Sequence, residues 1–289
     1  MSMAAVDEAG PDPDSLDSGL VLRAIGVRFG GLVALDDVSM RVPPGSVVGV
    51  IGPNGAGKTT LFNVVCGFVR PRTGTMTWAG APLRPRPQRL ARLGIARTLQ
   101  GVGLFDGLTV LDNVMVGAAA GTGTRFARGL FATPREDRDE RELRRCALDT
   151  LGELGIADTA SRRPDSLPYA IRKRVALARA LACAPRLLLL DEPAGGLGAE
   201  DIDELATLIR VLPGRGSRAL AEAGSAGVAG SGDCAVMLVE HHMDLVTRVC
   251  DHVVVLDFGR VIAAGTPEQI RDDPAVADAY LGTAAEVPS

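Results

Sequence analysis

No stretch of this 289-residue sequence reaches the run of about eighteen apolar residues that a bilayer-spanning helix needs. The longer runs, such as Leu187 to Leu190 and Val253 to Leu256, fall far short, so no segment is expected to cross a membrane. Cysteine is sparse and scattered. Cys66, Cys146, Cys183, Cys234 and Cys250 form no C-x-x-C pair, which indicates neither a zinc site nor a disulfide framework and fits a reducing cytosol. A basic excess is missing too: the net charge of −4 argues against a sequence-independent nucleic-acid binder, and no nucleic-acid partner is expected. The N-terminus lacks the basic start and apolar core of a signal peptide; Asp7, Glu8, Asp12, Asp14 and Asp17 make residues 1–19 read as a disordered acidic tail. Aromatics amount to only 3%. What is plentiful is aliphatic: 46% hydrophobic residues suffice for a proper core in one large or two modest domains.

The strongest local signal is Gly52 to Thr60, Gly-Pro-Asn-Gly-Ala-Gly-Lys-Thr-Thr, which fits the phosphate-loop pattern G-x-x-x-x-G-K-[ST]. Gly52, Gly55 and Gly57 let the backbone curl so that N–H groups, including those around Asn54 and Ala56, point into one concavity that a triphosphate can fill. Lys58 supplies a point charge for the β- and γ-phosphates, and the Thr59 hydroxyl is placed to ligate Mg²⁺. Thr60 is a neighbour without a definite role. The loop works only between a strand and the positive end of a helix, and both flanks fit: Val47 to Ile51 is a short apolar strand, and Leu61, Phe62, Val64 and Val65 have helical spacing.

Upstream, Leu20–Phe29 and Leu32–Val42 read as strands around Gly30-Gly31, with Asp36-Asp37 marking a local turn inside the second. Phe29, shortly before the loop, is either an adenine-stacking platform or an ordinary core phenylalanine. Downstream come a strand at Thr75–Trp78, a proline-broken loop at Pro82–Pro87, a short basic helix and a strand-like Ile95–Leu99, followed by Gln100. Alone, that glutamine says nothing. Thr109 is placed to cap a helix over Val110–Val116; Gly117–Gly129 reads as flexible, and Pro134–Gly155 as a helix with a charged, solvated face.

Arg172–Cys183 is helical, and Leu187–Leu190 forms a fully apolar strand that ends in Asp191-Glu192. Acids at the C-terminal end of a buried parallel strand stand where α/β sheets place ligands. There Asp191 would hold Mg²⁺ through water and Glu192 would activate or orient the attacking water; the alternative is a pair of exposed loop acids. Ile202–Leu212 is amphipathic. Residues of about 213–234 read as an inserted Gly/Ala-rich linker, with a short helix around Arg218 to Ala223 as the competing reading. Ala235–Val239 is a further strand, ending in Glu240-His241-His242, where a histidine is either a γ-phosphate sensor or structural. Val253–Leu256 and Arg260–Ala264 form a hairpin, and a polar helix with a tail at 283–289 closes the chain.

In this order, the set resembles the ATP-binding subunits of ABC transporters, over roughly Leu20 to Gly282. The resemblance implies an α/β P-loop ATPase core, with a mixed sheet, flanking helices and an N-terminal antiparallel β-subdomain, plus a helical subdomain at about 100–165 that docks on a permease. It makes Phe29 the adenine-stacking aromatic, Gln100 the glutamine that touches Mg²⁺ and couples to the membrane partner, and His241 the switch histidine. It also implies ATP and Mg²⁺, transmembrane permease subunits, a second ATPase subunit, a solute-binding protein acting indirectly, and a place on the cytoplasmic face of the membrane.

Arg97-Thr-Leu-Gln100, Leu167-Pro-Tyr169, Val239-Glu-His241, Gly265-Thr-Pro-Glu268 and the ending Asp273-Pro to Ala279-Tyr-Leu-Gly282 look like the branched-chain amino-acid group. The chain departs from the family where a Leu-Ser-Gly-Gly-Gln signature belongs: it has Pro168, Tyr169, Ala170 and Ile171 after Leu167. Gly195-Gly196-Leu197-Gly198 also lacks the usual Asn or Asp. A weakened signature leaves a regulatory, non-hydrolysing nucleotide-binding protein as the rival reading, against which the intact Glu192 speaks.

Overall fold

Alternation along four buried strands organises the molecule. In Val47–Ile51 (β3), Leu187–Asp191 (β7), Ala235–Val239 (β8) and His252–Asp257 (β9), side chains one apart leave opposite faces of the sheet. Val48, Val50, Leu187, Leu189, Met237, Val254 and Leu256 enter one core, and Val47, Ile51, Leu188, Leu190, Val236, Leu238, Val253 and Val255 enter the other. Strands covered on both faces must be apolar throughout, which is why these segments read as continuous runs.

The computed structural model describes residues 19–98, 102–122, 134–214 and 233–282. Arg260–Gly265 (β10) and Ile95–Arg97 (β6) complete a six-stranded sheet of order β10-β9-β3-β8-β7-β6, parallel except for the β9–β10 hairpin. Leu20–Phe29 (β1), Leu32–Val42 (β2), Thr73–Trp78 (β4) and Ala81–Pro82 (β5) form an antiparallel sheet of order β2-β1-β4-β5. Together with helix Lys58–Val65 (α1), this second sheet covers one face of the first.

The other face is covered by Val110–Thr122 (α2), Pro134–Glu153 (α3), Tyr169–Leu181 (α4), Ala199–Val211 (α5), Met243–Val249 (α6), Pro267–Arg271 (α7) and Pro274–Gly282 (α8). Helices α2, α3 and α4 pack on one another as a helical layer. Among the described residues, no helix is long and apolar enough to cross a membrane.

Thr109 caps α2 as expected: its hydroxyl accepts from the Asp112 N–H at 3.1 Å, while the Asp112 carboxylate accepts from the Thr109 N–H at 3.2 Å. The Gly/Ala stretch after Val116 is not flexible where it is described, because α2 continues to Thr122. A Cβ on Gly117 would stand 1.9 Å from the Arg179 carbonyl oxygen, so the small residues serve a close crossing of α2 over α4. Asp36-Asp37 makes no turn: β2 runs through, and Asp37, at φ 56°, sits at a register shift against β1. The short basic helix is a pair of single 3₁₀ turns, Pro87–Arg89 and Ala91–Leu93. Gln100, the acidic tail before Gly19, residues 215–232 of the insert and the tail 283–289 lie outside the described residues.

Candidate nucleotide site

Three adjacent parallel strands deliver the sequence motifs to one edge. The C-terminal end of β3 leads into Gly52–Thr60, that of β8 into Glu240-His241, and that of β7 into Asp191-Glu192, with β8 between the other two. The phosphate loop is held tightly. Gly52 has φ 146°, and a Cβ there would meet the Leu256 carbonyl oxygen at 2.0 Å; Gly57, at φ 102°, would meet the Ala34 carbonyl oxygen at 2.7 Å. Asn54 and Gly55 are exposed at the crest, whereas Ala56 is buried.

Lys58 begins α1 and is itself buried, its ammonium donating to the Gly52 and Pro53 carbonyl oxygens at 2.6 and 2.9 Å. Burial lowers its pKa, and the nearby Glu192 charge partly restores it. Thr59 is exposed in the first helical turn and Thr60 is half-buried. Phe29 ends β1 at the tip of the hairpin whose second strand contacts Gly57. It is 51% exposed, so it is not a core phenylalanine; a flat apolar face is open to solvent there.

Asp191 is buried at the end of β7. Desolvation, with the Glu192 charge second, raises its pKa, while the Arg97 guanidinium opposes the rise. Arg97 stands 5.5 Å from the Phe62 ring centroid and 4.9 Å from that of Phe68. Glu192 takes φ 45°, a left-handed conformation costly for a non-glycine residue, and its N–H donates to the Val239 carbonyl at 2.9 Å. Asp191 and Glu192 are thus not free loop acids.

Two residues that the sequence did not single out fix this arrangement. The first is Glu240, wholly buried, whose carboxylate accepts from the Ala194 N–H at 2.7 Å, the His241 N–H at 2.9 Å and the His242 N–H at 3.2 Å. It ties the loop after Glu192 to the turn that carries His241, whose Nδ1 lies 3.8 Å from the same carboxylate. The second is Lys173 of α4, which donates to the Glu192 and Pro193 carbonyl oxygens at 3.1 and 2.8 Å. Burial lowers its pKa, against the Glu240 and Glu192 charges. An acid at the end of an apolar strand, followed by two histidines, was the available signal for Glu240; Lys173 looked like one more base on a basic helix.

Helix α4 starts at Tyr169, so the N–H groups of Tyr169, Ala170 and Ile171 belong to its open first turn. The Ile171 side chain packs against the helix-side core, which accounts for an apolar residue there. From the C-terminal helix, Tyr280 approaches the start of the phosphate loop; burial raises its pKa, and the nearby Gly52 backbone opposes this.

Comparison with known proteins gives a consistent result. Residues 35–195 match the family model "ABC transporter", and residues 260–286 match "Branched-chain amino acid ATP-binding cassette transporter". The chain is 40% identical to the high-affinity branched-chain amino acid transport ATP-binding protein BraF of Pseudomonas aeruginosa. It is 37% identical to its counterpart LivG of Escherichia coli, and each alignment covers 92% of this chain and 98% of the relative. Among solved structures, an ATP-binding cassette of an ABC transporter in its ADP conformation superposes with a TM-score of 0.71 at 26% identity, over 92% of this chain and 99% of that one.

Proposed function

Since the chain belongs to the ABC transporter ATP-binding family, we propose that it is the ATP-binding and ATP-hydrolysing subunit of an importer for branched-chain amino acids or related small solutes. One observation carries the reading: a phosphate loop, an acidic pair and a histidine turn share one sheet edge in a chain whose C-terminal segment matches the branched-chain group. In this role the N–H groups of Asn54 to Thr60 and the Lys58 ammonium bind the phosphates, and Phe29 stacks on the adenine. The oxygen donors described there, the Thr59 hydroxyl and the Asp191 carboxylate, suit a hard divalent ion, and on the family resemblance Gln100 would join them. When bound, Mg²⁺ neutralises charge on the phosphate oxygens. Glu192 takes the proton of the attacking water, and His241 stabilises charge on the γ-phosphate. Glu240 and Lys173 hold the Glu192 loop in place from β8 and α4.

At the cytoplasmic face of the membrane, transmembrane permease subunits would dock on the helical subdomain of about 100–165, and a second ATPase subunit would complete each nucleotide sandwich. A solute-binding protein would act through the permease. Ala170 in the signature favours a different subunit as partner, because the defect then burdens only one of two sites. ATP-driven closure moves the permease and hydrolysis resets it.

Affinity purification from gently solubilised native membranes, followed by mass spectrometry, tests the assembly. Co-purifying permeases, a second ATPase and a solute-binding protein support it; a chain without membrane partners overturns it. Glu192→Gln should lower hydrolysis by about 10²- to 10⁴-fold while leaving ATP binding intact, read by single-turnover assay and equilibrium binding. Full retained activity would remove Glu192 from its role.

A further inference from the structure

Charge is distributed very unevenly along this acidic chain. Residues 38–105 hold nine of its 31 basic side chains and none of its 35 acidic ones. Four of the nine, Arg84, Arg86, Arg89 and Arg92, are exposed around the two 3₁₀ turns and line an open cleft of about 590 Å³ together with Pro82, Leu83 and Leu93. Among the described residues, none of the four guanidinium groups is paired with a carboxylate, whereas some exposed arginines elsewhere are, such as Arg210 with Asp251 and Arg260 with Asp36. The phosphate chemistry of the nucleotide site does not use them. The segment is fixed rather than loose: the Trp78 indole N–H donates to the Leu93 carbonyl at 2.9 Å, and Leu83 and Leu90 anchor it in the sheet-side core.

We propose that this arginine cleft binds anionic phospholipid headgroups and seats the subunit against the bilayer surface. Several guanidiniums on one rigid face suit a planar array of phosphates, to which each can donate in bidentate fashion. Leu93, 39% exposed beside them, adds an apolar contact at the headgroup level. A long polyanion that wraps the protein would meet the acidic remainder of the chain, whereas a bilayer meets only one face; this favours lipid over nucleic acid. The inference goes beyond the importer assignment and needs no permease.

The test is co-sedimentation of the purified full chain with phosphatidylcholine vesicles and with vesicles containing phosphatidylglycerol, at low and high salt. The wild-type chain should sediment only with the anionic vesicles and be released by salt. The variant R84Q/R86Q/R89Q/R92Q should partition at least about a hundredfold less, the order expected for four cations near an anionic surface. It should bind a fluorescent ATP analogue as the wild type does, which shows that it is folded. Wild-type sedimentation indifferent to phosphatidylglycerol, equal sedimentation of the folded variant, or tighter binding to an RNA hairpin than to vesicles would each overturn the proposal. None of these outcomes bears on whether permeases co-purify.

Discussion

Asp191 occupies a place where its charge is disfavoured: desolvation raises its pKa in the folded chain above the ordinary carboxylate value. The unfolded chain then releases that proton more readily than the folded one, so the side chain costs stability as pH rises from its unfolded pKa through its folded pKa, and the cost persists at neutral pH. Asp191→Asn should therefore melt at a higher temperature than the wild type near pH 7 and converge with it toward pH 4, measured by calorimetry without nucleotide. The same variant should lose Mg²⁺-dependent hydrolysis. Such a site is legible in sequence where a residue's chemistry is local, as with Lys58 after its glycines or Asp191 after four leucines. Glu240 and Lys173 escape because their roles arise from backbone groups brought to them by other elements. Asn113 is similar: wholly buried in α2, it accepts from the Phe105 N–H at 2.8 Å and donates to the Phe105 carbonyl, fixing the segment that follows Gln100.

At the level of elements, the buried central strands β3, β7 and β8 were readable almost to the residue, since a buried parallel strand is one apolar run cut off by proline, glycine or charge, whereas β4 begins two residues before the expected start and the two-residue β5 enters what reads as a proline-broken loop. The second half of helix α2 was not readable, because Gly117, Ala118, Ala119 and Ala120 have the composition of a flexible link. Only the packing of α2 on α4 shows that small side chains are required. Gly117→Ala places a methyl group against the Arg179 backbone, and overpacking of this kind typically costs about 1 to 3 kcal/mol. Denaturant unfolding should show a lower midpoint with unchanged slope, whereas an equal midpoint would mean that the crossing has slack. Gly152, in α3, has open space where a Cβ would stand and provides the control, since alanine there should be neutral or mildly stabilising.

On the scale of the whole molecule, the start of α4 exposes Pro168 and Tyr169, the face to which the proposed second ATPase subunit would bind. The first-turn N–H groups of α4 are present whichever residue stands at position 170, and the half-buried Ala170 adds a methyl group beside them that glycine would lack. Ala170→Gly should raise turnover in the assembled complex, by no more than the 10²- to 10³-fold that one well-aimed donor is worth. It should leave nucleotide binding to the isolated chain unchanged, and unaltered turnover in the complex would show the signature to be sufficient as it stands. The central sheet adds a consequence of its own. Leu188 and Leu189 are neighbours in the chain, yet one faces the helical layer, the proposed permease-docking side, and the other faces the layer that carries Phe29. The sheet thus acts as a bulkhead with separately furnished sides: most of the helical side can be refitted without disturbing the nucleotide side, Lys173 of α4 being the tie that must stay, so long as no insertion shifts a strand by a single residue and exchanges the two.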